Sequence, residues 1–95
     1  MPARVEGRWR SRLPDGGRSV EFELRQKFQQ LSGSAKIAGR SIAIERATLR
    51  GTFVSFRVQD GKRTLRFNGH ASVARISGQI GIGDRAYRWR ATRSD

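Results

Sequence analysis

The stretch Ile76-Ser77-Gly78-Gln79-Ile80-Gly81-Ile82-Gly83-Asp84-Arg85-Ala86-Tyr87-Arg88-Trp89-Arg90-Ala91 decides the fold. Apolar and polar residues alternate on both sides of Gly83-Asp84, a pair suited to the positive φ angles of a two-residue hairpin turn. Centred there, the hairpin sets Ile80 opposite Tyr87, Gly78 opposite Trp89 and Ile76 opposite Ala91. Register matters because a one-residue slip would throw every one of these side chains onto the other face. The aromatic opposite Gly78 covers the gap that a strand glycine leaves.

The same reading extends outward in both directions. With Asp60-Gly61 as a type I′ turn, Phe56 faces Leu65 and Val54 faces Phe67 inside, while Arg57 faces Thr64 and Ser55 faces Arg66 outside. With Ala38-Gly39 central, Ala35 faces Ile42 and Gly33 faces Ile44. Further back, Val20, Phe22, Leu24, Gln26 and Phe28 alternate with Glu21, Glu23, Arg25 and Lys27, and Pro14-Asp15-Gly16-Gly17 turns the chain between this segment and the first strand. That first strand places Val5, Gly7, Trp9, Ser11 and Leu13 on one face and Arg4, Glu6, Arg8, Arg10 and Arg12 on the other. No helical period of comparable length competes.

An apolar-x-Gly unit recurs at Leu31-Ser32-Gly33, Leu49-Arg50-Gly51 and Phe67-Asn68-Gly69 with a period of 18, and again at Ile76-Ser77-Gly78. Eighteen residues is one hairpin, and strands repeating about every nine residues are the mark of an up-and-down sandwich or barrel. Inward glycines at 7, 33, 69 and 78 permit the bending that closure of a small barrel needs. The expected fold is therefore all-β: a single antiparallel up-and-down meander of about eight short strands forming a small closed or nearly closed barrel, with no substantial helix. The strands are expected at 4–13, 19–28, 31–38, 41–49, 52–59, 62–71, 75–83 and 85–92, the fourth with a bulge near Arg46 where the apolar parity shifts. Residues 1–3 are a lead-in, 4–93 one barrel domain and 94–95 a tail.

The 95 residues allow one domain with one core, and such a short chain buries only roughly 60–65% of the surface its unfolded form exposes. With no cysteine there is neither a disulfide nor a thiolate metal site, and a reducing cytoplasm is the expected compartment. The first twelve residues carry no apolar leader core and no window reaches membrane-span length, so a soluble, untargeted chain is expected.

Twenty Lys and Arg against eight Asp and Glu give a net charge of +12, which favours polyanionic partners such as nucleic acid, an acidic membrane surface or an acidic neighbouring domain. Arginine supplies seventeen of the twenty, which suits bidentate contact with phosphate or carboxylate and is equally what a GC-rich coding sequence produces. Outward parity gathers Arg4, Arg8, Arg10 and Arg12 of the first strand with Arg88 and Arg90 of the last into one candidate basic stripe if the barrel closes. The stripe reads as a phosphate-tracking surface for nucleic acid, or as a docking face for an acidic partner. Single-strand binders interleave exposed aromatics with such cations, and parity offers at most Phe53 on an outward position.

Catalytic chemistry is absent from the pattern. There is a single histidine, His70, with outward parity near a strand end, and no cysteine to act as a nucleophile beside it. The carboxylates are scattered: Asp15, Asp60 and Asp84 sit in turns, and Glu21 and Glu23 share a face with Arg25 and Lys27 in ordinary surface pairing. The glycines at 78, 81 and 83 mimic a phosphate loop, but such a loop joins a strand to a helix and this one leads into a hairpin. No catalytic, cofactor-binding or metal-ligating residue is assigned. Polar residues at inward parity are Ser11, Gln26, Arg46 and Arg63. Together with Trp9 and Trp89, Gln26 and Arg63 are the candidate lining of a small-ligand interior, or else they sit at the barrel mouths and reach water.

Two resemblances follow from these residues. Gly7-Arg8-Trp9 on a first strand resembles the Gly-x-Trp of calycin barrels, the lipocalin, fatty-acid-binding and avidin group, and the resemblance implies a late arginine packed over that tryptophan, a place Arg93 would take. Across nearly the whole chain, Pro2 to Arg10, Glu23 to Gly33, Ala47 to Gly51, Val54 to Phe56 and Trp89 to Arg93 resemble the β-rich C-terminal extension of bacterial class I SAM-dependent methyltransferases. That resemblance implies a non-catalytic accessory barrel of a longer enzyme, whose partner is an intramolecular methyltransferase domain that holds the SAM. Ser72-Val73-Ala74 departs from the family, which often carries a glycine-containing turn there.

Overall fold

The computed structural model describes residues 4–14 and 17–94. Nine antiparallel strands form one sheet: β1 Gly7–Arg12, β2 Ser19–Lys27, β3 Gln30–Ile37, β4 Arg40–Ala43, β5 Glu45–Arg50, β6 Phe53–Asp60, β7 Arg63–Ala71, β8 Arg75–Ile82 and β9 Arg85–Arg93. Their order in the sheet is β4-β3-β2-β1-β9-β8-β7-β6-β5. The first and last strands pair, so the sheet's two edges, β4 and β5, are consecutive in the chain and separated by Ile44 alone. The sheet curls into a nearly closed barrel, and no helix among the described residues is long and apolar enough to cross a membrane.

Alternation is realised as burial. Val20, Phe22 and Leu24 of β2, Val54, Phe56 and Val58 of β6, Leu65 and Phe67 of β7, and Trp89 and Ala91 of β9 all point into one core. Their polar neighbours face out, as expected for strands with one dry face. The interior is filled by aromatic rings: Phe22, Phe56 and Phe67 surround Trp89 with centroid separations of 5.9, 6.3 and 5.0 Å.

The deciding hairpin has the expected register, with Ile80 opposite Tyr87, Gly78 opposite Trp89 and Ile76 opposite Ala91. Ala35 likewise pairs with Ile42, and the Ile44 amide donates to the Gly33 carbonyl at 3.0 Å. The β6–β7 hairpin differs. Its turn is Gly61-Lys62, Phe56 pairs with Phe67, Val58 with Leu65, and Arg57 with Arg66. The displacement is two residues, which preserves inside and outside, so hydrophobic pattern does not discriminate between the two registers.

The expected fourth strand is two. Arg46 takes φ +51°, the register with β6 shifts between Glu45 and Thr48, and Arg46 is exposed, against its expected inward parity. The bulge frees the chain from β3 and hands it to β6, so a single segment supplies both edges of the sheet. Phe28 is also a correction. Its φ is +58° at the β2–β3 turn and its side chain is 85% exposed, so the alternation of β2 ends before it.

The 18-residue repeat serves two purposes. A Cβ on Gly33 would lie 2.0 Å from the Glu23 carbonyl oxygen, and one on Gly78 would lie 2.0 Å from that of Asn68, so these glycines let strands approach. Gly51 instead sits in a turn at φ +57° with open space around it. Leu13 N donates to Arg18 O across the first turn, while the Asp15-Gly16 part of that expected turn, the lead-in 1–3 and Asp95 lie outside the described residues.

Candidate functional site

Strands β1 and β9 pair only at Trp9–Arg93, Arg10–Thr92 and Ser11–Ala91. Above that point they splay, and the Ser11 hydroxyl donates to the Arg90 carbonyl at 2.6 Å in place of further ladder bonds. The gap is a cleft of about 700 Å³ whose walls include Arg10, Arg12, Arg88 and Arg90, with Ser11 and Trp89 at its base. Four of the six arginines of the expected stripe therefore meet in one place. Arg8 is exposed on β1 below the cleft, and Arg4 is at the far end of the barrel.

Cross-strand partners set the charge of this cleft. Arg8 stands opposite Glu23 and Arg10 opposite Glu21, whereas Arg12 faces Ser19, Arg88 faces Gln79 and Arg90 faces Ser77. The carboxylates thus temper one wall, and the cations of Arg12, Arg88 and Arg90 dominate the rest. The arrangement can hold an extended anion, since guanidinium forks address phosphate or carboxylate oxygens in two-point contacts.

The four interior candidates do not converge. Trp9 is fully buried and donates from Nε1 to the Val5 carbonyl at 2.9 Å. Trp89 lies in the aromatic cluster, its buried Nε1 without a hydrogen-bond partner. Gln26 sits at the lower end, where its Oε1 accepts from Val5 N at 2.8 Å and its Nε2 donates to Phe28 O at 3.0 Å. Arg63 is at the upper end, 3.0 Å from Asp60.

Asp60, expected in a turn, ends β6; it is buried, and its carboxylate bridges Arg40 at 2.9 Å and Arg63 at 3.0 Å. The Arg40 contact spans the seam between β4 and β6. Below it, the seam widens into a groove of about 670 Å³ between β3 and β5, rimmed by Arg25, Lys27 and Arg50. His70 is exposed as expected, its Nδ1 2.9 Å from Thr52 Oγ1 and its ring 5.4 Å from that of Phe53. Among the described residues, no three His, Cys, Asp or Glu side chains cluster as a metal site would require.

Arg93 holds the lower end together. Its guanidinium lies 4.4 Å from the centre of the Trp9 ring, and it donates to the carbonyls of Glu6, Val73 and Arg4 at 2.6, 2.8 and 3.0 Å. The packing of Arg93 on Trp9 that the calycin resemblance implies is thus present. Its three carbonyl contacts had no signal in sequence, because they depend on where the 4–6 and 72–74 segments fold back. No protein-family model and no curated protein matches the chain.

Proposed function

We propose that this chain is a non-catalytic accessory barrel of a bacterial SAM-dependent methyltransferase, docking on the catalytic domain or aiding its recognition of substrate. The observation that carries the reading is the filled interior: aromatic rings occupy the space around Trp89 where a small-ligand barrel would keep a cavity. Work by this fold then falls to its outer surface. The stretches that resemble the methyltransferase extension fall on β1, β2, β3, β5, β6 and β9, so the likeness follows the framework of the barrel and is not confined to one loop. Deleting the barrel from the parent enzyme should lower stability, substrate preference or turnover. Retention of all three would defeat the proposal.

The arginine cleft favours a second reading, a surface for nucleic acid. If four phosphates are neutralised there, log K for single-stranded oligonucleotide should fall with log salt at a slope of about −3. Arg12→Glu with Arg90→Glu should flatten that slope. Absence of binding at moderate salt would remove this reading.

A further inference from the structure

Among the described residues, the large apolar side chains that remain exposed are Phe28 at 85%, Val73 at 86% and Phe53 at 39%. Phe28 is in the β2–β3 turn, Val73 in the β7–β8 loop, and Phe53 opens β6 directly after the β5–β6 turn. In an up-and-down barrel these three connections lie at one end, the same end at which the chain enters β1 and leaves β9. The opposite end, with turns at Ala38-Gly39, Gly61-Lys62 and Gly83-Asp84, exposes no comparable side chain among the described residues.

This end is held in shape. Gln26 ties the Phe28 carbonyl to Val5, Arg93 ties the Val73 carbonyl to Glu6 and Arg4, and Ala71 N donates to Thr52 O at 2.8 Å beside Phe53. Phe28 keeps a positive φ, a conformation that costs a bulky side chain free energy, while its side chain stays 85% exposed. Apolar side chains presented on a pre-ordered base lose little entropy on association, which is what a docking face requires. Arg25, Lys27, Arg50 and Arg75 stand exposed around the same end, none in an ion pair among the described residues.

We infer that this lower end, with Phe28, Phe53 and Val73 as its apolar anchors, is the face that seats on the methyltransferase domain. The inference rests on the function proposed above. On that reading the catalytic domain is joined ahead of Arg4, so the connecting polypeptide arrives at this end and raises the local concentration of its partner there. The surface it meets is an apolar patch bordered by carboxylates, complementary to the four cations. A nucleic-acid strand fits less well, because Val73 offers no stacking face.

Hydrogen exchange of the full-length enzyme, compared with this chain alone, tests the assignment. Amides of 28–31, 51–53 and 72–74 should exchange about tenfold or more slowly in the full-length protein, while those at 38–39, 61–62 and 83–84 keep their rates. Phe28→Asp with Val73→Asp should restore fast exchange at all three lower segments. Both side chains are exposed here, so the variant chain should melt as the parent chain does. A full-length protein that binds SAM but leaves the lower segments unprotected, or whose protection survives the double variant, overturns the docking face and spares the proposed function. A full-length protein with no SAM-binding domain overturns both. Binding of this chain alone to vesicles or oligonucleotides that is lost on Phe28→Asp would assign the same end to another class of partner and overturn the inference.

Discussion

Arg93 covers the Trp9 ring at 4.4 Å, joining the last strand to the first and both to the two segments that close the lower end. A cation over an indole and three charge-assisted bonds to carbonyls reinforce one another, because each holds the guanidinium plane for the rest. Arg93→Ala should cost about 3 kcal/mol in urea unfolding. Arg93→Lys should recover less than half, since one ammonium cannot reach three carbonyls that a planar fork serves at once.

Gly78 and Gly81 lie three residues apart on β8 and should respond oppositely to the same methyl group. A Cβ at 78 would stand 2.0 Å from Asn68 O and 2.4 Å from the Gly69 Cα, both backbone atoms in a tight barrel wall. The three atoms nearest a Cβ at 81 belong to the Arg66 guanidinium, an exposed side-chain end that can swing away by giving up its bond to the Gly83 carbonyl. Gly78→Ala should destabilise by about 3 kcal/mol, at the upper end of overpacking effects, or abolish folding. Gly81→Ala should stay within about 0.5 kcal/mol of the parent in thermal unfolding.

The two tryptophans differ in what their indole nitrogens find. Trp9 bonds to Val5 O, while the Trp89 Nε1 is buried unpaired. Replacing either by Phe removes similar volume, but Trp9→Phe also leaves the Val5 carbonyl without its donor, and Trp89→Phe removes a polar group already desolvated at a loss. Trp89→Phe should therefore be milder by about 2 kcal/mol. Equal losses in denaturant titration would contradict the assigned geometry.

Asp60→Asn keeps shape and removes the charge that holds Arg40 across the seam. Arg40 is largely exposed, so screening limits the effect to about 1–2 kcal/mol. The larger readout is local. Amides of β4 should exchange faster in the variant, while those of β8 keep their rates; uniform acceleration would show that Asp60 stabilises the whole barrel and not its seam.

Inside and outside were legible from residue order alone. Apolar residues two apart and glycine-bearing turns specify a meander, and the Gly83-Asp84 hairpin was readable to the residue because its turn pair is the one the chain uses, which fixes the register. The arginine stripe followed by the same parity. Its division did not, because the place where β1 and β9 part depends on the curvature of the closed sheet, which also decides that Arg10, Arg12, Arg88 and Arg90 share a cleft and Arg4 does not.

Alternation could not choose between registers two residues apart, so it gave no warning that the β6–β7 turn is Gly61-Lys62 and not Asp60-Gly61, nor could it say where a strand stops, as at Phe28. It also could not see that Asp60, in a turn by sequence, is a buried residue of β6 paired with Arg40 of the edge strand β4. Period-two pattern is a local property and assigns each side chain to a face. Which strands become edges, which end is tied by Arg93, and which apolar residues are left uncovered there are consequences of closure, set by contacts between segments as far apart as Arg4 and Arg93.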